Sequence, residues 1–272
     1  MALSVVDLYS KILPKTNCKD CGYLTCIAFA GMVVSERLPL KNCPHISLKL
    51  LQDAQPELDQ QYKEGKWLKK DMAKEALEWA KQKSASMNLE DIAPRIGGVF
   101  EIIDNIEQIT LPCFTKKLLI KKDNIVDDSN NALTKNEQTF VYIHMAQGGV
   151  AKPSGNMKSF KEFPNTVSKT VSMRDHVEAP LKKNFASNIQ KFGLACKQAG
   201  GKIVKAEYES PDLAFYFNAF PKVPVILLFW DEGEGFEADV KLLFDETIIE
   251  HLDIESIMFL SEFLCNMLIN AK

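Results

Sequence analysis

Asn17-Cys18-Lys19-Asp20-Cys21-Gly22-Tyr23-Leu24-Thr25-Cys26, answered by Cys43-Pro44, gathers four of the seven cysteines into 26 residues with the spacing C-x2-C-x4-C-x16-C. The other three, Cys113, Cys196 and Cys265, stand alone. Bunched thiols in a 272-residue chain read as a metal centre. A secreted disulfide framework instead spreads an even number of cysteines through a smaller domain. Two cysteines three apart can ligate neighbouring irons of a cubane from one tight loop, while a distant fourth returns from elsewhere. Gly22 stands where a side chain would crowd that loop and where a positive φ suits glycine. Cys26 opens an expected helix, whose amides and dipole favour the negative charge of a cluster. Pro44 stops the chain from continuing regularly past Cys43. Four thiolates also suit zinc, although zinc knuckles usually combine two short C-x2-C-like pairs. The 2–4–16 spacing, with a helix between the third and fourth cysteines, suits a [4Fe-4S] cluster better, with Cys18, Cys21, Cys26 and Cys43 as its ligands and zinc as the alternative.

Outward from the cysteines, residues 3–14 carry Leu3, Val6, Tyr9, Ile12 and Leu13 at helical spacing and stop at Pro14. A second helix is expected over 24–37 and a short amphipathic one over 46–54, with 56–65 as a polar connector. Residues 66–85 read as a surface helix with Trp67, Leu68, Met72, Leu77 and Trp79 on its apolar side. Asn88 has the chemistry of a helix N-cap, and Gly97-Gly98 ends the short helix that follows. The texture then changes to strands over 99–103, 108–114 and 117–125, a polar turn over 127–131, and a helix over 134–145 ending at Gly148-Gly149. Residues 151–172 are rich in Pro, Lys and Ser and read as a long surface segment. A helix over 179–199, strands over 202–208, 213–217 and 223–230, and a closing helix over 254–268 complete the pass. Helices and strands mix without regular βαβ alternation, which predicts an α+β fold. The expected organisation is a small, mainly helical iron–sulfur domain (1–55), a helical connector (56–98) and a larger mixed domain (99–272).

The run from Leu8 to Pro44 resembles the N-terminal domain of the large subunit of the corrinoid iron–sulfur protein family, which serves acetyl-CoA synthesis in anaerobes. The match rests on the cysteine spacing, Gly22, Thr25-Cys26, Ala28-Phe29-Ala30 and Cys43-Pro44, and covers roughly the first 50 residues. In that family the domain holds a low-potential [4Fe-4S] cluster that returns an oxidised corrinoid to its reduced state; the resemblance implies the ligands Cys18, Cys21, Cys26 and Cys43, and does not imply the corrinoid itself. The corrinoid-binding part itself has no counterpart beyond residue 55. The C-terminal part, with Phe220-Pro221, Val223-Pro224, Phe229-Trp230 and Leu243-Phe244-Asp245, resembles an uncharacterised domain that accompanies such cluster units in anaerobes. That likeness implies no activity.

Composition narrows the function classes. With 46% apolar and 25% charged residues the chain reads as soluble and globular, and a net charge of -3 with few arginines argues against nucleic-acid partners. The longest apolar run, Val223 to Trp230, falls far short of the ~20 residues that span a bilayer. The start lacks a basic region followed by an apolar one, so a cytoplasmic location is expected. Residues 1–50 hold six basic and three acidic side chains, a net +3 that offsets a cluster's charge and suits an acidic protein partner. His45 beside Cys43-Pro44 is placed to hydrogen-bond near the sulfurs. Cys113, Cys196 and Cys265 read as core residues. The acidic run Asp231-Glu232-Gly233-Glu234-Gly235, with Glu237 and Asp239, reads as a solvated turn, with a divalent cation or basic partner as the alternative. The resulting expectation is an electron carrier with a protein redox partner, a corrinoid protein being the most pointed version, rather than a stand-alone catalyst. The alternatives are a redox enzyme with a substrate site in the larger domain, and a non-catalytic iron–sulfur or zinc module for sensing or assembly.

Overall fold

The computed structural model describes residues 3–64, 72–122, 124–208, 210–233 and 235–271. The chain divides into two compact units, Met1–Asp71 and Met72–Lys272.

The first unit is helical. Ser4 caps a short turn, α1 (Val5–Asp7), through a reciprocal capping box with Asp7. The chain then widens into a π-turn over Leu8–Ile12, closed by Leu13 N–H on the Leu8 carbonyl. Leu8, Ile12 and Leu13 face inward, whereas Val6, expected on the apolar side, is exposed. Helix α2 (Cys26–Glu36) is capped by the Thr25 hydroxyl and ends at Arg37 in the left-handed conformation. Helix α3 (Leu48–Lys63) runs beyond the expected 46–54 and continues through Pro56, so the expected polar connector over 56–65 is helical as far as Lys63. Tertiary contacts outweigh the hydrogen bond that proline removes. Ala54, Leu58 and Gln61 are buried, the Gln55 side chain accepts from Leu40 N–H, and the Tyr62 hydroxyl donates to the Val33 carbonyl. Leu8, Phe29, Val33, Leu40 and Leu58 form the centre of this small core.

The second unit opens with α4 (Met72–Ser84), which buries Leu77 and Ala80 but leaves Trp79 half exposed. Trp67 and Leu68 of the expected helix lie outside the described residues. Asn88 caps α5 (Leu89–Ile96), and Gly97 ends it at φ 82°, its Cα against the Pro221 ring, where a β-carbon would clash. An antiparallel meander follows, β1 (Val99–Ile103), β2 (Ile106–Cys113), β3 (Lys116–Lys121) and β4 (Ile125–Asp127), paired in sequence order. Asp104 and Asn105, both at positive φ, make the tight turn between β1 and β2. The edge strand β1 leaves Val99, Ile102 and Ile103 exposed. Helix α6 (Lys135–Gln147) carries a Thr134–Glu137 capping box and ends at Gly148.

The second sheet is antiparallel in the order β5-β9-β8-β7-β6, with β5 (Met157–Ser159), β6 (Lys202–Ile203), β7 (Leu213–Phe220), β8 (Val223–Trp230) and β9 (Asp239–Asp245). Three expectations change here. The 151–172 segment is structured rather than a surface loop: it contributes β5, buries Phe160 and Phe163 beside Phe244, and starts α7 (Val167–Met173). Its anchor is the buried Asp245 carboxylate, which accepts from the amides of Ser154, Gly155 and Thr247 and from the Thr247 hydroxyl. The expected 179–199 helix is two helices, α8 (Ala179–Phe185) and α9 (Ile189–Gln198), broken where Ser187 takes positive φ and Asn188 caps α9. The expected 202–208 strand is only two residues of β6, because Lys205–Glu207 turn as a 3-10 helix. Helix α10 (Ile254–Ile269) closes the unit. The fold is α+β, as expected.

Phenylalanines join these layers. Phe114 lies against Phe217 and Phe263, Phe140 against Phe220 and Phe263, and Phe192 stacks on Phe229 at 4.2 Å. The Phe114 amide donates to the carbonyls of Asn218 and Ala219, tying the first sheet to the second. Within this core His144 is fully buried, stacked on Phe220 at 4.5 Å, with the His251 ring 5.5 Å away. Burial, reinforced by His251, pulls the pKa of His144 from 6.5 to about 3, and burial also lowers that of His251. The unfolded chain therefore binds protons that the buried His144 ring resists and His251 takes up less readily, so stability falls as pH drops below about 6.5. Thermal melts between pH 7.5 and pH 4.5 should show this decline, and His144→Asn should flatten it. An unchanged slope in that variant would refute the assignment.

Candidate metal centre

The first unit brings two chain segments together around one group of thiols. Residues 15–22 form an irregular loop in which Lys15, Asn17, Lys19 and Gly22 all take positive φ. The reversal at Lys19 is closed by Gly22 N–H donating to the Lys19 carbonyl at 2.8 Å. At Gly22, with φ 84°, open space surrounds the position of a β-carbon, so backbone conformation rather than crowding is what requires glycine. The Asn17 side chain accepts from Cys26 N–H at 2.8 Å and so fixes the loop to the first residue of α2. On the return, a 3-10 turn over Leu40–Asn42 delivers Cys43, whose amide donates to the Leu40 carbonyl.

Cys26 and Cys43 are buried, Cys21 is half-buried and Cys18 is exposed. Burial raises the pKa of the Cys43 thiol, and the nearby thiols of Cys21, Cys26 and Cys18 push it further in the same direction. The His45 amide opposes this by donating to the Cys43 sulfur. All four thiols thus share one electrostatic neighbourhood, made by a loop, a helix start and a return. Such a donor set has the chemistry of a group held by four thiolates, although among the described residues no three of these sulfurs lie within 4.8 Å of one another, wider than the ~3.8 Å of a tetrahedral zinc–thiolate site. His45 reaches the sulfurs through its main chain. Its ring instead meets Asp20, Nε2 to Oδ2 at 2.6 Å. Asp20 also bonds to the Cys18 side chain, and these two partners hold its carboxyl below the usual range. A Cys18 sulfur, an Asp20 oxygen and a His45 ring nitrogen all lie within 4.8 Å of one another. Asp20 and Asn17 carry no cysteine-like signal; only the preference of Asn for the left-handed region hinted at the latter.

The remaining cysteines, Cys113, Cys196 and Cys265, are all buried. Burial pushes Cys113 and Cys265 up to about 12 and Cys196 higher still. The acidic run after β8 has protein partners: Asp231 accepts from Ser187 N–H, Glu232 meets the Ser187 hydroxyl, and Asp239 pairs with Lys182. Glu234 lies outside the described residues. The second unit also holds a cavity of about 570 Å³ whose lining includes Lys81, Lys121, Lys122, Asn88, Tyr142 and Met145. Among the described residues no helix is long and apolar enough to cross a membrane.

Comparison with known proteins agrees with this division. A family model described as "Putative Fe-S cluster" matches residues 13–45, the cysteine loop, α2 and the return. Over 42 residues the chain is 48% identical to the gamma subunit of the acetyl-CoA decarbonylase/synthase complex of Methanocaldococcus jannaschii, covering 15% of this chain and 8% of that protein. Over 47 residues it is 45% identical to the corrinoid/iron-sulfur protein large subunit of Moorella thermoacetica, covering 17% of this chain and 10% of that protein. The chain therefore spans about a tenth of these relatives' length, and the likeness supports an iron–sulfur cofactor in the first unit. No solved structure matches the chain. A second family model, Domain of unknown function (DUF3786), matches residues 88–267, and the chain belongs to that family.

If Asn17 fixes the loop to α2, Asn17→Ala should lower the urea midpoint of the first unit by the equivalent of about 1 kcal/mol. It should also lower the iron and sulfide retained per chain. A variant indistinguishable from wild type in both would show that the bond to Cys26 does not position the loop.

Proposed function

We propose that this chain is an electron-transfer protein carrying one low-potential [4Fe-4S] cluster held by Cys18, Cys21, Cys26 and Cys43. The observation that carries the reading is that the loop, the start of α2 and the return place Cys21, Cys26 and Cys18 near enough to Cys43 to raise its pKa. The likeness of residues 13–45 to iron–sulfur domains points the same way. Such a cluster passes one electron at a time. The chain's own residues set its surroundings: Asn17 and Thr25 hold the start of α2, the His45 amide donates to the Cys43 sulfur, and Phe29 and Val33 back the site with a dry core. Cys18 is exposed, as are Leu24 and Ile27 between and beside the other cysteines, so this edge is open to a redox partner. The name of the Moorella thermoacetica relative includes a corrinoid, which supports a corrinoid protein as the partner; we propose that this chain keeps it reduced, in the cytoplasm.

The cavity in the second unit favours one other reading, a redox enzyme with its own substrate. Three lysines against Glu107 give it a net positive lining, and its volume is that of a ligand pocket, so the substrate would be a small anion. Turnover of such a molecule without any protein partner would favour it.

Anaerobic purification followed by iron, sulfide and zinc analysis and EPR of the reduced protein tests the main reading. The expected result is about four irons and four sulfides per chain with a reversible one-electron signal. Cys21→Ala or Cys43→Ala should lose or degrade the centre, and Cys265→Ala should retain it. Stoichiometric zinc without acid-labile sulfide would sink the reading.

A further inference from the structure

The exposed end of the cysteine loop holds a second donor set that the cluster does not use in full. Cys18, Asp20 and His45 supply a sulfur, a carboxylate oxygen and an imidazole nitrogen, all within 4.8 Å of one another. We propose that these three side chains form a mononuclear site for a borderline divalent ion, zinc, cobalt(II) or iron(II), in the cluster-free protein. The ion site goes beyond the cluster reading and stands without it; only its part in cluster loading rests on that reading.

The geometry needs little adjustment. Tetrahedral bonds of ~2.0–2.3 Å place donor atoms roughly 3.3–3.8 Å apart, so a set already within 4.8 Å closes on an ion by about an ångström. The Asp20–His45 contact, 2.6 Å, must instead open to about 3.3 Å to admit one. Both side chains are about half exposed, at 53% and 46%, so opening disturbs no packing. Their exposure also leaves the fourth position to water. The mixed S, N, O set selects against calcium and magnesium, which take oxygen ligands alone.

Two structural consequences follow. Cys18 belongs to both donor sets, so ion and cluster compete for one thiolate. The three residues come from both segments of the site, the loop before α2 and the return after Cys43. An ion seated there would clasp those segments together when no cluster does so, keeping Cys21, Cys26 and Cys43 assembled for loading.

Cobalt(II) is the probe. The full-length chain, stripped of cluster and reduced anaerobically, should bind one equivalent with four-coordinate ligand-field bands, a charge-transfer band of one-sulfur intensity, and mixed sulfur and nitrogen/oxygen scattering in X-ray absorption. Asp20→Ala and His45→Ala should each weaken binding at least about tenfold, since even outer-sphere losses cost that much. A Cys21→Ala/Cys43→Ala double variant should bind cobalt unchanged. A four-sulfur band, no bound cobalt, or affinity that survives His45→Ala but vanishes in the double variant would each overturn the proposal. The sulfur count needs no variant to fold. Iron and sulfide in the untreated protein report separately on the cluster.

Discussion

Everything proposed for the first unit depends on one constraint: a thiol at residue 43 must return to a loop whose first thiol, Cys18, lies 25 residues earlier. Backbone hydrogen bonds within α2 cannot achieve that return. It is set by a core of barely a dozen side chains, in which Leu40, three residues before Cys43, is completely buried with Leu8, Phe29, Val33 and Leu58. Helix α3 completes it, with the Gln55 side chain on the Leu40 amide and the Tyr62 hydroxyl on the end of α2. The long α3 is thus a buttress for the thiol group, which is why it runs through Pro56 where local propensity would stop it.

Much of this was legible in the sequence, and the reasons differ by residue. The cysteine spacing, Thr25 as a cap and Gly22 at positive φ are local signals, each readable from a few neighbours. Asn88, Thr134 and Asp253 likewise announce the helices they cap. What stayed hidden was non-local. Asp245 looks like an ordinary acid after an apolar run, yet it organises residues 154–155, some ninety positions earlier, and so turns an apparent loop into part of the sheet. Strand β9 lies outside the expected strands although Val240, Leu242 and Phe244 alternate as a half-buried strand should. The Asp20–His45 contact joins residues 25 apart that share no pattern at all.

The second unit shows how an antiparallel fold is consolidated when its two sheets are small. Neither sheet closes on itself, so phenylalanine rings from β2–β3, β7, α6 and α10 interlock across the gap between them, each contact worth more than its area alone. The two buried histidines occupy the same region, where uncharged imidazoles serve as flat, stackable rings.

The edge of the first sheet has a colloidal consequence. Among the described residues strand β1 pairs on one side alone, and it carries exposed Val99, Ile102 and Ile103 with Glu101 as its only charge. Such an edge is a template for pairing with another chain. Residues 72–272 hold 23 basic and 28 acidic side chains, a net -5 that opposes such pairing between copies. That repulsion reaches only ~8 Å at physiological ionic strength and shrinks to ~3 Å at 1 M salt. Charge repulsion opposes pairing at that edge only while the ionic atmosphere is dilute, and added salt weakens it.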